Sequence, residues 1–200
     1  MLTMTEALVR AERDFAGRVA IVEGAAKFSW AEHMARVRRA ARMLTSRGLA
    51  PGDRFAIVGL NSFRYSELLH AGYWAGLIPV PINHRLAPPE IRQIIDDAGC
   101  KLVAHCSNQA RILAAPDLAH LKGRALDIDG DYDDRLAQTA PMAARIARGD
   151  DLALLLFTGG TTGRSKGVCL THRNITANGE QVGAAMRARA EDRYLHVAPM

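Results

Sequence analysis

The chain has 200 residues, 48% of them apolar and 24% charged, enough for one sizeable domain and too apolar for a disordered polymer. Its net charge is +5, yet of 26 basic side chains only Lys27, Lys101, Lys122 and Lys166 are lysines. Such an arginine bias follows genome composition, and without a nucleic-acid-binding motif it does not argue for a nucleic-acid partner.

Taken in chain order, Thr3 to Phe15 fits an amphipathic helix, and Val19–Val22 and Lys27–Ser29 read as short strands around a Glu23-Gly turn. Ser29-Trp-Ala-Glu32 is a capping box opening a helix that Gly48 closes. Trp30, Met34, Val37, Ala41 and Leu44 fall within about 40° of one direction, so this helix should face the core. Arg36, Arg38, Arg39, Arg42 and Arg47 lie off that stripe and are expected to form a solvated face. Arg54–Leu60 is an apolar strand, and Ser62–Gly76 is a helix apolar on nearly every side, with Gly72-x-x-x-Gly76 marking close backbone packing. Ile78-Pro-Val-Pro-Ile82 is extended, with prolines that suit a strand at a sheet edge or a turn into it. A helix over 90–98, a strand over 101–105, a helix over 108–115 and a weak strand near 125–128 follow. Residues 129–149 are poorly patterned and should form loops with a short helix. A buried strand over 151–157, a glycine loop, a second strand from Val168, a helix over 174–189 and a strand over 193–197 complete the chain. This alternation implies an α/β fold, a mainly parallel sheet flanked by helices on both faces.

The glycine loop carries the chemistry. Leu154-Leu-Leu-Phe-Thr158-Gly-Gly-Thr-Thr-Gly163-Arg-Ser-Lys166 combines glycines that admit close backbone approach with threonine hydroxyls and one ammonium. Consecutive N–H groups in such a turn form an anion nest, so the loop reads as a phosphate cradle. It is not the nucleoside-triphosphatase P-loop: Arg164, not lysine, follows Gly163, and a strand rather than a helix comes next. Gly163-Arg-Ser165-Lys-Gly167 matches the hydrolase elbow by letter, but that elbow must pass from strand directly into helix.

Phe157-Thr-Gly-Gly-Thr-Thr-Gly-Arg-Ser-Lys-Gly-Val168 followed by Thr171-His-Arg-Asn174 closely resembles the signature of adenylate-forming (AMP-binding) enzymes. Gly159 stands where that signature often has serine, and Ser165 where it has proline. Phe28-Ser-Trp-Ala-Glu32, Gly48-Leu-Ala-Pro-Gly-Asp53, the run from Ala71 to Asn83, and Arg85-Leu-Ala-Pro-Pro-Glu90 resemble the amino-terminal half of that family, in its order. The resemblance implies ATP-dependent activation of a carboxylic acid as an acyl-adenylate and transfer to a thiol. The acyl-CoA synthetase branch fits best, with ATP, Mg2+ and coenzyme A as cofactors and a small carboxylic acid as substrate. By position, Thr158, Gly159, Gly160, Thr161, Thr162 and Gly163 would hold the β- and γ-phosphates, with Lys166 assisting. His172 fits the same pattern and is expected to pack against the loop without a catalytic role.

The family's magnesium-binding glutamate segment, its ribose-binding aspartate segment and the lysine of its carboxy-terminal domain are not in this sequence. Residues 1–200 are therefore expected to be a partial amino-terminal domain with the phosphate loop at 157–168, without catalytic or metal-ligating residues and inactive alone. A non-catalytic nucleotide-binding or structural fragment, or another adenylate-forming branch such as a peptide-synthetase adenylation domain or an acyl-AMP ligase, stays open. Self-association through a bared apolar surface is a further expectation.

Elsewhere the chemistry is plainer. The acidic run Asp127–Asp133 misses the calcium-loop spacing, with Gly130 at position four and Gln138 at position twelve. Seven histidines show no metal spacing. Cys100, Cys106 and Cys169, odd in number and unpaired in spacing, should be buried thiols, Cys169 above all. The apolar run Leu152–Phe157 is far below the ~20 residues that span a bilayer, and the first ten residues do not read as a secretion signal, so a cytoplasmic setting is expected.

Overall fold

A computed structural model of the chain describes residues 2–114, 118, 121, 123–159 and 165–198. Helix starts follow local chemistry. Helix α1 (Met4–Phe15) opens on a capping box between Thr3 and Glu6. A hairpin of β1 (Val19–Glu23) and antiparallel β2 (Ala26–Ser29) leads into α2 (Trp30–Ser46), where Ser29 and Glu32 cap each other. Strand β3 (Arg54–Val58) precedes α3 (Phe63–Ala75), which Ser62 caps and which ends at left-handed Gly76. After β4 (Ile78–Ile82), α4 (Pro88–Ala98) starts on a proline, where no helical N–H is needed, and ends at left-handed Gly99. Strand β5 (Cys100–His105), a 3-10 helix (Ser107–Ala114), β6 (Ala125–Asp127) and α5 (Tyr132–Gln138) follow. The chain then forms β7 (Leu152–Thr158), β8 (Lys166–Thr171) and α6 (His172–Ala185).

The centre is a four-stranded parallel sheet in the order β4-β3-β5-β6. Alternation along its strands divides the core. Phe55, Ile57, Leu102, Ala104 and Leu126 face a cluster that includes α2, α3 and α5. Ala56, Val58, Val80, Ile82 and Val103 face α4. Helices thus cover both faces, as the sequence implied. The Gly72 signal is also explained: a Cβ there would meet Pro79 Cδ at 2.9 Å and Phe55 Cε1 at 3.2 Å, so only glycine lets α3 sit this close to the sheet.

Prolines shape the β4 edge. Ile78 donates its N–H toward the β3 side, to Asp53, so the N–H positions of residues 79 and 81 point the other way. Prolines there leave no donors on the outer edge. Strand β7 packs along β4 without a backbone ladder between them, and instead pairs antiparallel with β8.

Four expectations change. The arginine face of α2 is only partly solvated. Arg36 binds Glu67 (2.5 Å) and Asp133 (2.6 Å), and Arg38 pairs with Glu12 and lies over the Trp74 ring. Arg39 donates to the Thr139 carbonyl and Arg47 to that of Ala125, while Arg42 stays exposed. Strand β7, read as buried, buries only Ala153; Leu155 and Phe157 pack on the α4-side cluster, and Leu156 on the opposite face is exposed. Cys169 is exposed because β8 is the outer strand of its hairpin, whereas Cys100 and Cys106 are buried. Residues 193–197 form no strand: they find no strand partner among the described residues, and Tyr194, Leu195 and Val197 are exposed.

Candidate functional site

The hairpin register fixes the geometry of the phosphate-loop candidate. Phe157 pairs with Gly167 and Thr158 with Lys166, so the two strands end side by side at one mouth. A Cβ on Gly167 would meet Leu155 Cδ1 and Phe157 Cζ at 3.2 Å, so glycine lets both side chains lie over β8. Thr158 Oγ1 sits 3.5 Å from the Lys166 carbonyl oxygen, and both side chains are exposed. A Cβ on Gly159 would meet nothing within 4 Å, so the backbone there is open to approach. The structure therefore brings Thr158, Gly159 and Lys166 to one mouth. Gly160, Thr161, Thr162 and Gly163 lie outside the described residues. A hydroxyl and an ammonium at an open mouth suit a polyphosphate.

Magnesium finds less. Among the described residues no group of three or more His, Cys, Asp or Glu side chains is arranged to hold a metal ion. The run 127–133 instead finds partners within the protein: Asp127 accepts from Ser107 Oγ (2.8 Å) and from the Asp129 N–H (3.0 Å), and Asp133 pairs with Arg36 and Arg64.

The far end of the hairpin is fixed. His172 N–H donates to the Asp151 carbonyl (3.1 Å), Arg173 N–H to that of Gly149 (2.8 Å), and the Arg173 guanidinium pairs with Asp150. His172 was expected beside the loop. It is instead buried at the opposite end of β8, with its ring 6.0 Å from that of Tyr73 and Nδ1 accepting from the Met4 N–H at 3.2 Å. Sequence proximity to the loop misled here, because a strand carries its two ends apart.

A sequence model of the family described as AMP-binding enzyme matches residues 8–200. The chain belongs to this family. It is similar to a feruloyl-CoA synthase of Amycolatopsis sp, 36% identical over 193 residues that cover 96% of this chain and 38% of that protein. Similarity to the long-chain-fatty-acid–CoA ligase FadD13 of Mycobacterium tuberculosis is 33% identity over 180 residues, covering 87% of this chain and 35% of that protein. Among solved structures, ATP-bound MatB from Rhodopseudomonas palustris superposes with a TM-score of 0.87 at 32% identity, covering 98% of this chain and 40% of that one. The chain thus spans about two-fifths of the length of these relatives. The resemblance read from the loop and from the ordered motifs upstream of it is borne out, as is the α/β fold. Among the described residues no helix is long and apolar enough to cross a membrane.

Proposed function

We propose that this chain supplies the ATP-phosphate site of an AMP-forming acid–thiol ligase of the acyl-CoA synthetase type. In the proposed reaction a carboxylate oxygen attacks the α-phosphorus of ATP and the bond to the β-phosphate oxygen breaks. Pyrophosphate leaves with its charge. The sulfur of coenzyme A then attacks the acyl carbon of the acyl-adenylate, AMP departs, and the thiol proton goes to a base or water. The carrying observation is the hairpin mouth, where Thr158 and Lys166 stand opposite one another at the ends of β7 and β8. A fixed hydroxyl and ammonium stabilise charge developing on the leaving pyrophosphate. Gly159, Gly160, Thr161, Thr162 and Gly163 would add backbone N–H groups and hydroxyls around the β- and γ-phosphates. Mg2+ would neutralise phosphate charge.

The relatives' names support CoA as acceptor, and the ATP-bound MatB structure supports the nucleotide. Because ATP and coenzyme A are its co-substrates, the reaction is proposed to run in the cytoplasm. Residues 1–200 are proposed as the first part of the amino-terminal domain, with turnover belonging to a protein of the relatives' length.

Carboxylic-acid-dependent exchange of labelled pyrophosphate into ATP tests this reading. In the complete protein, Lys166→Ala should raise the KM for ATP about 10- to 100-fold, the value of hydrogen bonds to a charged partner. An unchanged KM for ATP would remove Lys166 from the phosphate site. Acid-dependent exchange by the 200-residue chain alone would overturn its assignment as an incomplete active site.

A further inference from the structure

Among the described residues, the hairpin that carries the proposed phosphate loop is tied to the rest of the molecule by directional bonds mainly at its base. Along its length β7 meets β4 without a hydrogen-bond ladder, since Pro79 and Pro81 present no donors on that edge. Its inward side chains Leu155 and Phe157 make apolar contacts, which are non-directional. Directional bonds gather at the base, on His172 and its neighbour Arg173, and those that reach other helices are made by His172. This residue is 2% exposed and joins three elements distant in sequence. Its N–H bonds the residue before β7, its carbonyl accepts from the Thr176 hydroxyl within α6, and its ring reaches α1 and α3. Thr5 Oγ1 in turn donates to the Tyr73 carbonyl at 2.9 Å, so the two helices His172 touches are tied to each other.

The Met4 N–H can only donate, so His172 Nδ1 must be an acceptor and the ring proton sits on Nε2. Burial favours this neutral ring against the carboxylates of Asp151 and Glu6, which pull the other way; from α3 the ring faces Tyr73. The lever is long. Residue 172 lies six residues along the strand direction from Lys166, about 20 Å at ~3.3 Å per residue. A tilt of about 5° at the base would move the mouth by ~1.7 Å over that length, and ~1 Å of misplacement can cost about 100-fold in rate.

We propose that His172 is a positioning residue: through its bond to the Met4 N–H it fixes the angle at which the β7–β8 hairpin presents Thr158 and Lys166 to the nucleotide. This rests on the reading of the hairpin mouth as the phosphate site. Three variants of the complete protein test it. His172→Leu removes the acceptor. Met4→Pro removes the donor at the first helical position, where proline is tolerated, and Thr3 already has the extended backbone (φ −88°, ψ 164°) that proline requires of its predecessor. His172→Asn puts an amide oxygen close to where Nδ1 lies.

Amide hydrogen exchange over 152–158 and 166–171 should rise about tenfold in His172→Leu and Met4→Pro, with β3 and β5 unchanged, and the KM for ATP should rise about tenfold. The KM for the acid should stay within about twofold, and His172→Asn should return both readouts to within about threefold of the parent. Unchanged hairpin exchange in both disruptive variants would overturn the anchor. A rise spread evenly over the chain, or an Asn variant as impaired as Leu, would reduce His172 to general stability and also overturn it. Faster hairpin exchange with an unchanged KM for ATP would refute the phosphate-site reading, and the positioning role with it.

Discussion

Glu67 offers the sharpest test of how the helical layer is held. Its side chain is fully buried in α3, and Arg36 of α2 donates to it through Nε at 2.5 Å. The Tyr132 hydroxyl of α5 donates to its other oxygen. Arg36 also reaches Asp133, which Arg64 holds from α3, so three helices share one charged network. Burial pushes the Glu67 carboxyl up, with Arg36 and the Tyr132 hydroxyl opposing. Arg36→Met would strand that carboxylate without its cation. Removing one partner of a buried pair costs about 3–5 kcal/mol, whereas replacing both by apolar groups is often close to neutral. Tyr132→Phe removes a hydrogen bond to a charged group and should cost about 1.5–3 kcal/mol. In urea unfolding followed by circular dichroism, Arg36→Met should therefore lose at least ~3 kcal/mol, and Arg36→Met/Glu67→Leu/Tyr132→Phe, which also removes the hydroxyl that Glu67→Leu alone would leave buried without an acceptor, should recover most of it. The Arg36→Met deficit should shrink as pH falls from 8 to 5, because the unpaired carboxyl takes up a proton rather than staying charged. A loss below about 1 kcal/mol, or a triple variant no better than the single, would refute the reasoning.

Two further outcomes follow from burial. His33 Nε2 and His70 Nδ1 lie 2.8 Å apart, and burial pushes His33 down to about 3 and His70 down to about 4. Between those values and the unfolded ~6.5 the unfolded chain binds more protons, so stability is complete above about pH 6.5 and falls as pH drops. The loss should be about 2 kcal/mol per histidine by pH 5, and equal urea midpoints at pH 7.5 and 5 would contradict it. For the thiols, Ellman's reagent should modify exposed Cys169 alone in the native chain and all three cysteines in urea. Burial pushes Cys100 up to about 12 and raises Cys106 as well, so rapid native reaction at either would mean that the sheet opens.

What could be read from the sequence was local. The capping box at Ser29, which opens α2, and Gly76, which ends α3, were legible because each acts among residues three or four apart. The loop was legible for the same reason: glycines, hydroxyls and one lysine lie within nine residues, 158–166. The fate of side chains with distant partners was not. Arg36 reads as a solvated helix residue until Glu67, 31 positions away, and Asp133, 97 away, are brought beside it. Exposure of Cys169 depends on whether anything covers β8, which the alternation of β8 itself does not encode. The site divides along the same line. The chemistry of the proposed phosphate site, glycines with hydroxyls and one ammonium, is written in one stretch of chain. Its aim is set where His172 meets the Met4 N–H, 168 residues away, and no local pattern announces a contact of that span.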